Sequence, residues 1–262
     1  MFWLYIVLSF ALTCLGSISG MGGGVVLKPV MDLAGDYKAA EIGVLTASAV
    51  FVMSLVSVCR GFGAQNQFRP LGALALGFGA VAGGFVGQAL LARLVAVADD
   101  SHVNLCQNIV LGAVEFYVLV YAFAKNPRRL ELRHTAFRLA AGVALGVFSA
   151  FLGIGGGAVN VALLMFLFNM DIKQAAAHSL LIILFSQGTK LLAIAAVEGV
   201  AAFNLMPLLP CMVVAAVAGS LLGTALTRRL GHKAVLAVFG AMLAAVLCTT
   251  GYNIVKILFS MG

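Results

Sequence analysis

Two apolar runs, residues 2–34 and 136–170, are each interrupted by a glycine cluster, and no other feature limits the folding of this chain so tightly. The first cluster reads LGSISGMGGGVVLKP over residues 15–29, and the second reads FSAFLGIGGGAVNVALL over residues 148–164. As one straight helix each run would extend about 50 Å, well beyond the roughly 30 Å of a hydrocarbon core. Glycine costs backbone entropy in a helix, and Pro29 removes an amide donor just after the first cluster. In lipid an unsatisfied amide is expensive, so a broken backbone is tolerated only where protein buries it or it lines a water-filled cavity.

Composition places the rest of the chain around these runs. Of 262 residues, 63% are hydrophobic and 10% charged, whereas soluble domains carry about 45–50% and about 25%. The chain therefore reads as an all-α polytopic membrane protein, with no room for a soluble catalytic domain. The net charge of +7 comes from cations in short connections rather than from a basic patch with interleaved aromatics, so nucleic acid is not an expected partner. Cys14, Cys59, Cys106, Cys211 and Cys248 lie in or beside apolar runs without a C-x-x-C spacing, which fits free thiols rather than a disulfide framework or zinc site. The start, MFWLYIVLSFALTCLG, has no positive n-region and no cleavage site, and reads as a retained membrane element.

The chain is written twice. Slid against itself, it superposes Gly20, Gly22, Gly23 and Gly24 on Gly153, Gly155, Gly156 and Gly157. With the offset lengthened by two, Asp36, Lys38, Phe68, Gly84 and Arg93 fall on Asp171, Lys173, Phe203, Gly219 and Arg228. Two homologous halves follow: an N-terminal repeat over 1–124, a basic linker over 125–135 and a C-terminal repeat over 136–262. Each half carries its glycine-broken run and then three apolar helices, expected at 39–59, 71–97 and 105–124, and at 174–196, 205–226 and 234–258. Such duplication recurs in secondary transporters.

Charge decides between two topologies. If each broken run crossed once, the cations would divide evenly between the faces. If each run enters, turns at its glycines and leaves where it entered, one face gathers Arg60, Arg69, Lys125, Arg128, Arg129, Arg133, Arg138, Lys173, Arg228, Arg229 and Lys233. The other face keeps only Lys28, Lys38, Arg93 and Lys256. The positive-inside rule favours the two hairpins, with Gly63, Arg129 and Lys233 cytoplasmic and Lys38, Asp99 and Gly199 outside. Three crossings and one hairpin per half give the halves opposite orientations, making them inverted repeats.

The paired motifs, GSISGMGGGVVLKPVMD and GVFSAFLGIGGGAVNVALL, resemble those of the sulfite exporter TauE/SafE family, among the 4-toluene sulfonate uptake permeases, and the resemblance covers both halves. It implies a multi-pass carrier of sulfite, sulfonates or related small organic anions, in bacteria usually in the inner membrane. Its motif residues here are Gly16, Gly20, Gly22, Gly23, Gly24 and Pro29, then Gly153, Gly155, Gly156 and Gly157. The second copy departs from the first by carrying Ala162 where the first has Pro29. Members differ in substrate and direction.

Candidate site residues follow from cost. The glycine clusters either let helices pack closely or present backbone amides and a half-helix N-terminus to an anion. Neither is followed by G-K-[ST], so a nucleotide loop does not fit. Lys190 sits inside an apolar helix, where a charge is expensive unless it snorkels, with Ser186, Gln187 and Thr189 in the neighbouring turn. Glu115 lies mid-helix and must be paired, protonated or wet; proton coupling, an ion pair with Lys190 and a neutral helix–helix hydrogen bond all stay open. His178, Ser179 and Asn160 are within reach of a cavity, or serve the backbone around the breaks.

Catalysis is not expected. The histidines lack metal-ligand spacing, and GSISG lacks the strand–turn–helix setting of a nucleophile elbow, which disfavours a hydrolase built on Ser19 and His178. The expectation is thus a secondary transporter of a small oxyanion, without metal or cofactor, in contact with lipid, and with a homodimer left open. An anion channel and a membrane-embedded assembly subunit are the competing readings.

Overall fold

The computed structural model describes residues 2–61, 70–97, 100–124, 130–132, 134–152, 156–199, 203 and 208–261. Among these residues there are ten α-helices and no strand. They are α1 (Phe2–Ser19), α2 (Gly24–Ala34), α3 (Ala39–Gly61), α4 (Pro70–Val97), α5 (Asp100–Phe123), α6 (Thr135–Leu152), α7 (Gly157–Phe168), α8 (Ile172–Glu198), α9 (Leu208–Arg229) and α10 (His232–Met261). Six are long and apolar enough to cross a membrane: α1, α3, α5, α8, α9 and α10. The fold is all-α and polytopic. Boundaries follow the apolar runs closely except at α5, which begins at Asp100 rather than residue 105 because its polar first turn continues the helix.

Local chemistry ends the helices where the sequence changes. The Asp171 carboxylate caps α8 by accepting from the amides of Lys173 and Gln174 at 2.9 and 3.0 Å. Gly35 closes α2 in the left-handed region, φ 72°, and returns its amide to the Met31 carbonyl at 3.3 Å. Ahead of α3, the Lys38 amide donates to Glu41 Oε2 at 2.9 Å.

Both glycine-bearing runs fold back. Tyr5, near the start of α1, donates its hydroxyl to Asp36 Oδ2 at 2.7 Å across 31 residues; a continuous helix would hold them about 46 Å apart. The Leu130 and Leu132 amides, ahead of α6, likewise donate to the carbonyls of Phe166 and Leu167 at the end of α7, at 2.6 and 3.1 Å. The arms of the first hairpin are unequal, 18 residues in α1 against 11 in α2. The reason is overshoot. Gly23, at the head of the return arm, lies against the Leu12 carbonyl, so the end of α1 projects past the point where α2 begins. Gly22 and Gly24 face Val50 at the midpoint of α3, and Gly22 also faces Ile183 in the middle of α8. The return arm therefore starts level with the middles of α3 and α8.

Packing follows one pattern. Outer arm α6 runs beside α4, and outer arm α1 runs beside α9. Exchanging α1–α5 for α6–α10 reproduces the main packed pairs, while α3–α8 and α5–α10 pair across the exchange. Small residues set the closeness. Gly79, Gly83 and Gly87 lie on α6 backbone, and Gly219 and Gly223 lie on the Phe10 and Cys14 carbonyls of α1, where any Cβ would overlap. The face on which α3 ends and α8 begins is basic: Arg228 donates to the Arg60 carbonyl at 2.7 Å, and His232 lies 3.5 Å from Asp171.

Candidate functional site: a hairpin junction and a two-lysine cavity

The two hairpin tips meet. Gly20, Gly22 and Gly156 have φ of 74°, 75° and 62°, a region where a side chain is strained. Gly157 lies against the Met21 carbonyl, and Gly20 against Ala176 of α8, so a Cβ at either position would collide. One turn on, buried Ser179 donates to the Gly20 carbonyl at 2.6 Å, with the Gly157 carbonyl 3.3 Å away. A single hydroxyl of α8 thus touches both tips. Its proton goes to backbone, which makes Ser179 a pin of the junction. His178, also buried, places Nδ1 2.9 Å from the Gln174 carbonyl, within its own helix.

Beside the second tip the polar groups are less well served. Asn160 is fully buried, yet among the described residues neither its Oδ1 nor its Nδ2 has a hydrogen-bond partner, and the buried Ser149 Oγ has none there either. Both side chains converge on Gly156. Such groups cost about 1–3 kcal/mol each when left unpaired, which marks this corner as a place where water or a ligand belongs.

Ser149 also opens onto a cavity of about 300 Å³ between α2, α4, α6 and α8. Lys28, Gln88, Ser186, Gln187, Thr189 and Lys190 supply its other polar lining, with Phe85 and Ala150 among the apolar groups. No carboxylate is among the described lining residues. Two ammonium groups sharing one small space repel each other and attract an anion, with the Asp32 carboxylate, one turn past Lys28, offsetting part of the Lys28 charge. A larger groove between α1 and α9, about 590 Å³ and lined by Trp3, Ile6, Val7, Phe10 and Val214, is apolar and offers an anion nothing.

The candidate residues therefore fall into three places. Gly20, Gly22, Gly23, Gly24, Gly156, Gly157, Ser179 and Asn160 gather at the tips, while Gln187 and Lys190 line the cavity. Glu115 stands apart, buried between α5 and α10, where Thr250 donates to its Oε2 at 3.4 Å and Oε1 has no partner among the described residues. The structure does not bring it to Lys190. Gly153 and Gly155 lie outside the described residues. Lys28, Ser149 and Gln88 were not singled out by their sequence context. Lys28 offered a signal, a charge one turn past the glycines, while Ser149 occupies the position that Gly16 holds in the first half.

The model of the family described as sulfite exporter TauE/SafE matches residues 5–250. Over 189 residues, 67% of this chain, the sequence is 28% identical to the "Probable membrane transporter protein" of Methanocaldococcus jannaschii. The match spans 66% of that protein, just under two thirds of its length. No solved structure matches at a significant level.

Proposed function

The chain belongs to the sulfite exporter TauE/SafE family, and on that premise we propose that it is a secondary transporter of a small oxyanion, sulfite or an organosulfonate, in the inner membrane. The two-lysine cavity beside the hairpin tips carries this reading. Lys28 and Lys190 hold the charge, and Gln187, Ser186 and Ser149 direct hydrogen bonds to its oxygens, while Thr189 donates to the Phe185 carbonyl at 2.9 Å. The tips set the depth of the site near mid-membrane, where discontinuous helices hold substrates in many transporters.

The halves act as inverted repeats in this reading. It is supported by the equivalent helices α3 and α8, which pack antiparallel, with Gly43 near Lys190 and Phe51 near Gly188. An exchange that reverses helix direction corresponds to an axis in the membrane plane, and rocking about it alternates access. The basic face is the cytoplasmic one.

Uptake into proteoliposomes tests the assignment. Saturable sulfite or sulfonate flux with counterflow is expected. Flux that does not saturate identifies a channel, and no flux of any small anion leaves an assembly subunit.

A further inference from the structure

We propose that Ser17, Ser57, Ser220 and Thr224 form the second half of the anion's path, a hydroxyl-lined counterpart of the lysine cavity on the opposite side of the hairpin tips. This rests on the transporter reading above. Thr224 donates to Ser57 Oγ at 3.3 Å, and Ser57 donates to Ser17 Oγ at 3.0 Å, linking α9, α3 and α1. All three residues are buried. Ser220, one turn before Thr224 on the same face of α9, is fully buried, and its Oγ has no hydrogen-bond partner among the described residues.

Position gives this cluster its meaning. The cavity is lined by α4, α6, α8 and the return arm α2. Under the exchange of halves, α4, α6 and α8 become α9, α1 and α3, the three helices that carry the cluster. Lys190 lies seven residues past Ile183 on α8, and Ser57 lies seven past Val50 on α3, about 10 Å each. Those helices are antiparallel, so the two displacements point to opposite faces. Ser149, near the end of α6, lines the cavity, and Ser17, near the end of α1, joins the cluster.

The chemistry differs between the sides. The cavity holds two cations, whereas the cluster holds hydroxyls alone; the position matching Lys28 is Val161, and the position matching Lys190 is Leu55. Hydroxyls that donate to one another while the path is shut can turn to an anion's oxygens when α1, α3 and α9 part. The anion is thus bound strongly on the lysine side and released across a weaker, uncharged stretch toward the basic face.

The test uses the full chain with its five cysteines replaced, carrying Ser17→Cys and Ser57→Cys, in proteoliposomes loaded with isethionate, an organosulfonate that leaves a disulfide intact where sulfite would cleave it. Oxidation to the cross-linked form, verified by mass, is expected to bring flux to the protein-free baseline, and reductant to restore it. Thermal stabilisation of the cross-linked protein by isethionate is expected to persist, because the lysine cavity stays intact. Isethionate flux that continues after complete cross-linking overturns the path alone. A wild-type chain that moves no anion overturns the transporter reading, and the path with it. Ser57→Ala with Thr224→Val gives a second readout should the cysteine pair not fold. A reduced maximal rate with unchanged sulfite affinity at the lysine side supports the path, and unchanged flux with lowered thermal stability overturns it.

Discussion

Single side chains make the sharpest claims. A hydrogen bond to a charged group is worth about 1.5–3 kcal/mol, so Lys190→Met is expected to weaken anion affinity about 10- to 100-fold, read from uptake kinetics. Lys190→Arg keeps the charge and should retain part of the activity, and Lys28→Met should act in the same direction as Lys190→Met. If uptake in Lys190→Met matches wild type, that lysine only snorkels. Glu115 shows where sequence reasoning runs out. A carboxylate and an ammonium in apolar helices invite pairing, but which faces meet depends on helix packing, and Glu115 meets Thr250 instead. Separated sites add to within about 0.5 kcal/mol, so Lys190→Met and Glu115→Gln combined should lower thermal stability by the sum of their separate effects. A double variant more stable than either single change would show that the two are paired after all. Ser179→Ala strands the Gly20 carbonyl and is expected to cost about 1–3 kcal/mol of stability, measured as earlier thermal unfolding in detergent.

At the scale of elements, the breaks were readable and their depth was not. Glycine clusters in overlong apolar runs, with the charge balance across the faces, lead to hairpins, and the Tyr5–Asp36 hydrogen bond requires the first run to reverse. Nothing in the sequence says that the outer arm overshoots its return, because that depends on Gly23 finding the Leu12 carbonyl. The partners of α4 and α9 were equally hidden, since small residues recur on most helices and several pairings fit them. Gly23→Val and Gly156→Val are expected to abolish transport while membrane insertion continues. In the first a side chain meets the Leu12 carbonyl; in the second it meets Ser149 at positive φ. Near-normal flux in both would remove the tips from the mechanism. Topology is checked with single cysteines and an impermeant label. Arg60→Cys and Lys233→Cys should react from the cytoplasm, Lys38→Cys and Gly199→Cys from outside, and opposite labelling of the first two would exclude hairpins in both halves.

For the whole molecule, the main consequence lies in how the repeats are interleaved. Each outer arm finds its close-packed neighbour in the other half, α1 on α9 and α6 on α4. Neither repeat is therefore a self-sufficient body, and under the proposed transporter reading any motion that alternates access must carry both repeats together. Biosynthesis feels this as well. Ser9 donates to the Met212 carbonyl across 203 residues of chain. At ribosomal speeds of about 5–20 residues per second, α1 waits on the order of ten to forty seconds in the bilayer before α9 exists to receive it. During that interval the face of α1 that later receives Gly219 and Gly223 lacks its α9 neighbour, and lipid or the insertion machinery must shield it.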